Sequence, residues 1–258
     1  MTSIVMVCRD RYRLLKQSLD SLKAHTERSS YTLTLIDDSS YDFRVKALLA
    51  KTAEENSNVT LLTILKSDHV VGRAKNIGVA WSKECFGEGD WLYFSDSDVY
   101  FTEGWLEKLA EIATDTEPLQ FGLWGGQVHP FHAPIPSGSV GIGETDNDYG
   151  EVQTLHVGHV IPVTTKSGLN EYEILDGPSW LLRWPTWNLI GPWDRNTAPG
   201  VCQSDEYPVC KRLREWQGRI GVIYPHVVVH TGLTQTDGKD APGWKERKAM
   251  IPKGVLAE

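Results

Sequence analysis

Asp96-Ser97-Asp98 closes the short apolar run Trp91–Phe94 with two carboxylates two residues apart. In extended chain such residues share a face, although a strand end can curl so that one carboxylate turns to a metal and the other to a ligand. Hard divalent cations take oxygen ligands, and Mg²⁺ commonly divides its sphere between one or two carboxylates and substrate phosphates. An Asp-rich turn leading into a helix has the same composition, so the pair alone does not decide. Three further polar clusters follow apolar runs: Arg9-Asp10, Asp37-Asp38, and Arg73 with Asn76. Asp37 or Asp38 suits a base N–H or a ribose hydroxyl, and Arg73 suits a phosphate. Together these groups suit a nucleoside diphosphate with a divalent metal, which neutralises the phosphates and stabilises a departing diphosphate. His230, after the last apolar run, is a candidate third metal ligand. Asp205-Glu206 follow Ser204 at the start of a late helix, where acids also suit the helix dipole.

The elements that must position these groups are readable from periodicity. Ile4–Val7 is a β-rich run, and Leu14, Leu15, Leu19 and Leu22 then recur at helical spacing. Leu33–Ile36 is a second strand, followed by a helix carrying Val45, Leu48 and Leu49. Val59–Leu65 is a third strand, and Gly72 opens a helix with Ala74, Ile77, Val79, Ala80 and Trp81. Trp91–Phe94 is the fourth, with a helix starting near Thr102-Glu103 and carrying Trp105, Leu106, Leu109 and Ile112. Four strand–helix units predict a parallel sheet with helices on both faces. Ligands of such sheets bind beyond the carboxyl ends of the strands, where all four clusters fall.

After Thr116 the pattern changes. A strand is expected over Phe121–Val128, and one or two within Val152–Val163. A strand is also expected from Trp180, then a short helix begun by Pro185. Asp205-Glu206 open a helix with Val209, Leu213 and Trp216 on one face, and strands follow over Ile220–Tyr224 and Val227–Val229. Residues 129–150 are rich in Pro, Gly and Asp and read as a loop, with a mobile lid as one reading. The basic tail 231–258 reads as mobile. Nothing suggests a linker, so 1–258 is read as one domain in three parts: 1–116, 117–230 and the tail.

Composition narrows the classes. The 258 residues are 40% hydrophobic and 23% charged, enough for a packed core. A net charge of −8 argues against a dedicated nucleic-acid binder. None of Cys8, Cys85, Cys202 and Cys210 forms a Cys-x-x-Cys pair, which fits reduced thiols in a cytoplasmic protein. No apolar run reaches the roughly 18 residues of a membrane span. The P-loop, the Gly-x-Gly-x-x-Gly fingerprint and the Gly-x-Ser-x-Gly elbow are all absent.

The motif order resembles the inverting family-two glycosyltransferases of the GT-A fold. The matching segments are Ile4-Val5-Met6-Val7-Cys8-Arg9-Asp10-Arg11 with Leu14-Leu15; Leu35-Ile36-Asp37-Asp38-Ser39-Ser40; and Gly72-Arg73-Ala74-Lys75-Asn76-Ile77-Gly78. Tyr93-Phe94-Ser95-Asp96-Ser97-Asp98 and Asp205-Glu206 before Lys211-Arg212-Leu213 complete the set. The resemblance implies an α/β, GT-A-type fold: a Rossmann-like, mostly parallel central sheet flanked by helices, with a smaller acceptor-side subdomain, so that 1–116 would be the nucleotide-sugar-binding half and 117–230 the acceptor-binding and catalytic half. It implies Arg9 and Asp10 in the nucleotide pocket, Asp38 on the base with Asp37 nearby, and Arg73 and Asn76 on the nucleotide-sugar. Asp96 would face ribose or sugar, and Asp98, with Asp96 and His230, would hold Mn²⁺ or Mg²⁺. Glu206 or Asp205 would be the general base. The pair is reversed from the family's usual Glu-Asp, and counting back from Arg212-Leu213 favours Glu206. Trp180 and Trp184 lie where the family shapes its acceptor site. The Gln-x-x-Arg-Trp motif of processive synthases is missing, which implies transfer of one sugar. The acceptor hydroxyl could belong to a glycan, a lipid-linked sugar, a protein or a modified nucleobase, with nucleic acid disfavoured by charge. The competing readings are a sugar nucleotidyltransferase and a catalytically silent carbohydrate-binding domain.

Overall fold

The computed structural model describes residues 1–67, 70–116, 122–125, 127–128, 160–162, 179–193, 206–216, 219–223 and 228–230. Its first part alternates strand and helix: β1 (Thr2–Cys8), α1 (Tyr12–His25), β2 (Tyr31–Asp38), α2 (Phe43–Glu55), β3 (Val59–Ile64), α3 (Val71–Phe86), β4 (Trp91–Asp96), β5 (Val99–Phe101) and α4 (Trp105–Thr116). Then come β6 (Gly122–Gly125), β7 (Gln127–Val128), β8 (Val160–Pro162), β9 (Ser179–Arg183), α5 (Trp184–Ile190), α6 (Glu206–Glu215), β10 (Arg219–Ile223) and β11 (Val228–His230). The loop at 129–150, the tail at 231–258, Ser204 and Asp205 lie outside the described residues.

The main sheet runs β3-β2-β1-β4-β9-β6-β10-β8. β3, β2, β1 and β4 are mutually parallel, as the strand–helix alternation requires. β9 then pairs antiparallel with β4 and β6, while β10 is parallel to β6 and antiparallel to β8. The sheet is therefore mixed, and its first half carries the parallel register. A second sheet, β5-β11-β7, was not expected. It splits the anticipated strand over Phe121–Val128 into β6 and β7, each paired in a different sheet.

Period-two alternation sorts the strand residues into two apolar layers. Ile4, Met6, Leu33, Leu35 and Tyr93 meet Leu15, Leu22, Val45, Leu49 and Trp105 on one face. Val5, Leu92, Phe94, Trp180 and Leu182 meet Val79, Trp184, Trp187, Val209 and Leu213 on the other. α3 approaches the second face closely because Gly78 has no side chain. A Cβ there would lie 2.6 Å from Val5 Cγ1 and 3.0 Å from Ile36 Cγ1. The helix expected from Thr102 starts instead at Trp105, since Gly104 takes φ 66° and holds residues 103–104 in a turn.

Candidate active site

The carboxyl ends of β1, β2 and β4 meet at one edge of the sheet. Cys8 is opposite Asp37, and Val7 is opposite both Ile36 and Asp96. Three non-glycine residues here have left-handed backbones: Asp10 at φ 52°, Arg11 at φ 54° and Ser39 at φ 60°. Each costs about 1–2 kcal/mol for an L-residue, so the loops must be fixed by other bonds. Asp10 supplies several. Its N–H donates to Ser40 Oγ at 3.0 Å, and its Oδ1 accepts the Tyr41 N–H at 2.8 Å and the Asp42 N–H at 3.0 Å. Asp10 thus ties the loop after β1 to the loop after β2.

The neighbouring pair divides its work by strand alternation. Asp37, 2% exposed, turns towards the α1 and α2 face and accepts the Ser40 N–H at 2.9 Å. Asp38 turns to the α3 face and accepts from Ser67 Oγ at 2.7 Å. Arg9 Nη1 donates to the same Ser67 hydroxyl at 3.0 Å and stands 3.8 Å from Asp38 Oδ2. Burial, reinforced by the Asp37 charge, pushes the Cys8 thiol far up, so it stays protonated and inert. Burial likewise raises the Tyr93 phenol, with the Ser179 hydrogen bond opposing and Asp96 adding to the rise.

Asp96 ends β4, and by alternation it continues the Leu92–Phe94 face. Asp98 sits in the tight turn before β5 and is 4% exposed. Its Oδ2 accepts from Arg11 Nη1 at 2.7 Å. β11 pairs with β5 so that His230 is opposite Val99, one residue from Asp98. Backbone register alone therefore brings the three metal candidates to one corner. Among the described residues no three His, Cys, Asp or Glu side chains are grouped so that they alone could hold a metal ion. The donor chemistry nonetheless fits Mn²⁺ or Mg²⁺: Asp96 and Asp98 offer hard carboxylate oxygens, and two carboxylates suffice where substrate phosphates complete the sphere.

Arg73 is exposed in the first turn of α3. Asn76 is used differently from expectation. Its Nδ2 donates to the Trp193 carbonyl at 2.9 Å, and its Oδ1 accepts the Trp193 N–H at 2.8 Å. The Trp193 indole carries the Lys75 ammonium 4.4 Å from its ring centroid, with Lys75 only 4% exposed. Trp180 and Trp184 need correction as acceptor platforms. Each is 1% exposed; Trp180 stacks on Trp193 at 4.5 Å, and Trp184 Nε1 donates to Ser3 Oγ at 3.2 Å. Their faces are consumed by packing.

Glu206 is the first residue of α6, while Asp205 lies outside the described residues. Val209, Cys210 and Leu213 anchor α6 on the α3 face of the sheet, the face Asp96 continues. Arg212 donates to the carbonyls of Ile190 and Pro192, which fixes the helix to α5. Arg11, Ser67 and Lys75 were not singled out by the sequence reading. For Lys75 a signal existed: it falls on the buried stripe with Gly78, Val79 and Ser82, where a lysine is out of place. Arg11 and Ser67 carried none, because their partners lie far along the chain.

Solved structures with this fold match nearly the whole chain. GalNAc-T7 with UDP, GalNAc and Mn²⁺ gives a TM-score of 0.62 at 16% identity over 89% of this chain and 43% of its own. A mannosyltransferase from Pyrobaculum calidifontis, PcManGT with GDP-Man and Mn²⁺, gives 0.60 at 12% identity over 96% and 60%. S. aureus TarS 1–349 with UDP-GlcNAc gives 0.57 at 15% identity over 88% and 57%. The chain thus spans less than two thirds of the length of each, and likeness at this identity shows the fold. Among curated proteins none matches. The sequence profile described as "Glycosyl transferase family 2" matches residues 3–155, more than half of the chain, and the chain belongs to that family.

Proposed function

We propose that the chain is a metal-dependent, inverting transferase moving one sugar from a nucleoside-diphosphate sugar to an acceptor hydroxyl. The observation that carries this is the meeting of Arg9–Asp38, Asp96 and Asp98 at the carboxyl ends of three parallel strands, with the His230 strand paired beside them. Asp38 receives the base, with Asp37 behind it, and Arg9 and Arg73 face the charged part of the donor. Asp10 and Asn76 shape the pocket by holding its loops. Asp98, Asp96 and His230 would hold Mn²⁺ or Mg²⁺, which neutralises diphosphate charge. Glu206 or Asp205 removes the acceptor proton as the hydroxyl attacks the anomeric carbon. The nucleoside diphosphate leaves from the opposite side, and one displacement inverts the centre.

The donor class is open between bases, since the matched structures hold UDP, UDP-GlcNAc and GDP-Man. The acceptor is a glycan, lipid-linked sugar, protein or modified base; the net charge of −8 disfavours nucleic acid. Among the described residues no helix is long and apolar enough to cross a membrane. The free thiols of Cys8, Cys85 and Cys210 support a reducing, cytoplasmic setting.

A thermal-shift panel of UDP-, GDP-, dTDP- and CMP-sugars, with and without Mn²⁺, tests the donor site. Metal-dependent stabilisation by one nucleotide class, abolished in Asp98→Ala, is the expected result. No shift with any nucleotide and metal would leave a silent binding domain. The product anomer tests the displacement: retention from an α-linked donor sinks it.

A further inference from the structure

Arg11 holds the very carboxylate expected to bind metal. The Asp98 side chain is 5% exposed, whereas the Arg11 side chain is 44% exposed. The carboxylate is therefore fixed in the fold, and its guanidinium partner faces solvent on one side. Arg11 reaches it from the loop after β1, with a left-handed backbone at φ 54° and ψ 47°, next to Asp10, also left-handed. Two successive left-handed non-glycine residues are a costly way to build a loop, and here they bring Arg11 to the turn before β5. A buried carboxylate needs a positive partner, and Arg11 supplies one as a short charge-assisted bond. A divalent ion on Asp98 meets that same guanidinium as a like charge at close range. The two cations compete for one carboxylate. An incoming diphosphate offers a displaced guanidinium a new anion, in the paired geometry arginine favours.

We propose that Arg11 is a resident counter-ion of Asp98. It weakens binding of metal alone and moves to the donor diphosphate when metal and nucleotide enter together. Metal and nucleotide then bind with positive coupling, and Arg11 is a positioning residue that enforces it. The inference rests on the metal-and-donor reading of this corner.

The test is a Mn²⁺ titration followed by loss of the free-ion electron paramagnetic resonance signal. It is run without nucleotide, with UDP and with GDP, on the wild type, Arg11→Met, Arg11→Lys and Asp98→Asn. Without nucleotide, Arg11→Met should bind Mn²⁺ tighter by up to about fivefold, the scale of a half-exposed ion pair. Its gain on adding the nucleotide should be smaller than the wild type's. Arg11→Lys, which keeps the charge, should stay near wild type in both. A damaged fold would weaken Mn²⁺ binding, so tightening is not a structural side effect. Equal or weaker Mn²⁺ binding by Arg11→Met, with binding lost in Asp98→Asn, overturns the role of Arg11 and leaves the metal site standing. Full Mn²⁺ binding by Asp98→Asn, or none by wild type and Arg11→Met alike even with UDP or GDP present, overturns the metal reading itself.

Discussion

Single residues here do work that their type alone does not announce. Cys8 is fully buried opposite Asp37 and binds its proton far more tightly than a free thiol. The linkage has a definite sign. The unfolded thiol ionises near pH 8.5 and the native one does not, so stability is whole below that pH and falls as pH rises above it. Tyr93 adds a second loss of the same sign, beginning near pH 10, where an unfolded phenol ionises. Urea midpoints of Cys8→Ala should therefore be flat from about pH 8 to 9.5, where the wild type declines; parallel curves would refute the assignment. Cys85 is exposed, so Cys85→Ser should remove one fast-reacting thiol equivalent in a disulfide-reagent assay, while Cys8 and Cys210 stay unreactive. The tryptophans mark a limit of reading by residue type. An indole suits a sugar ring and a core equally, and only the closeness of Trp193 to Trp180 shows that the latter was chosen.

At the scale of elements, the opening turn of α3 joins the two parts of the site. Its exposed Arg73 faces outward, while Asn76 and Lys75 grip Trp193. Asn76→Ala removes both hydrogen bonds and leaves backbone groups of the fully buried Trp193 unpaired, which should cost about 1–3 kcal/mol. A urea midpoint within error of wild type would refute that role. Arg73→Ala, an exposed change, should stay within about 0.5 kcal/mol of wild type while weakening nucleotide binding. The first four strand–helix pairs were legible because their periods differ, 2 against 3.6, and charged clusters punctuate them. Asp96 and Asp98 were legible for the same reason. The second sheet was not. β5 and β11 are three residues each and pair across more than a hundred intervening positions, so no local pattern encodes them. The contact of Arg11 with Asp98 was hidden likewise, since it depends on a left-handed backbone at Arg11 that an arginine does not signal.

Across the whole molecule, β4 is the seam. It pairs in parallel with β1 on one side and antiparallel with β9 on the other, so the strands of the first part and those that follow share one hydrogen-bonded sheet. The α3 face is equally shared. Val5, Val79, Leu92 and Phe94 from the first part are covered by Trp180, Trp184, Trp187 and Trp193 from the second. Burying a large apolar side chain is worth about 1.5–3 kcal/mol. Four such side chains together rival the roughly 5–15 kcal/mol by which a domain is stable at all. A fragment of residues 1–116 would bare this layer and turn β4 into an open edge with unpaired backbone groups. It should therefore lack a cooperative melt and bind a hydrophobic dye, although it carries most of the residues proposed to hold the donor. The full chain should unfold in one transition, with far-ultraviolet circular dichroism and tryptophan fluorescence giving the same midpoint. A fragment that melts sharply with native-like dichroism would instead make residues 1–116 a domain of their own. The site would then be assembled by docking two folded parts rather than by closing one sheet.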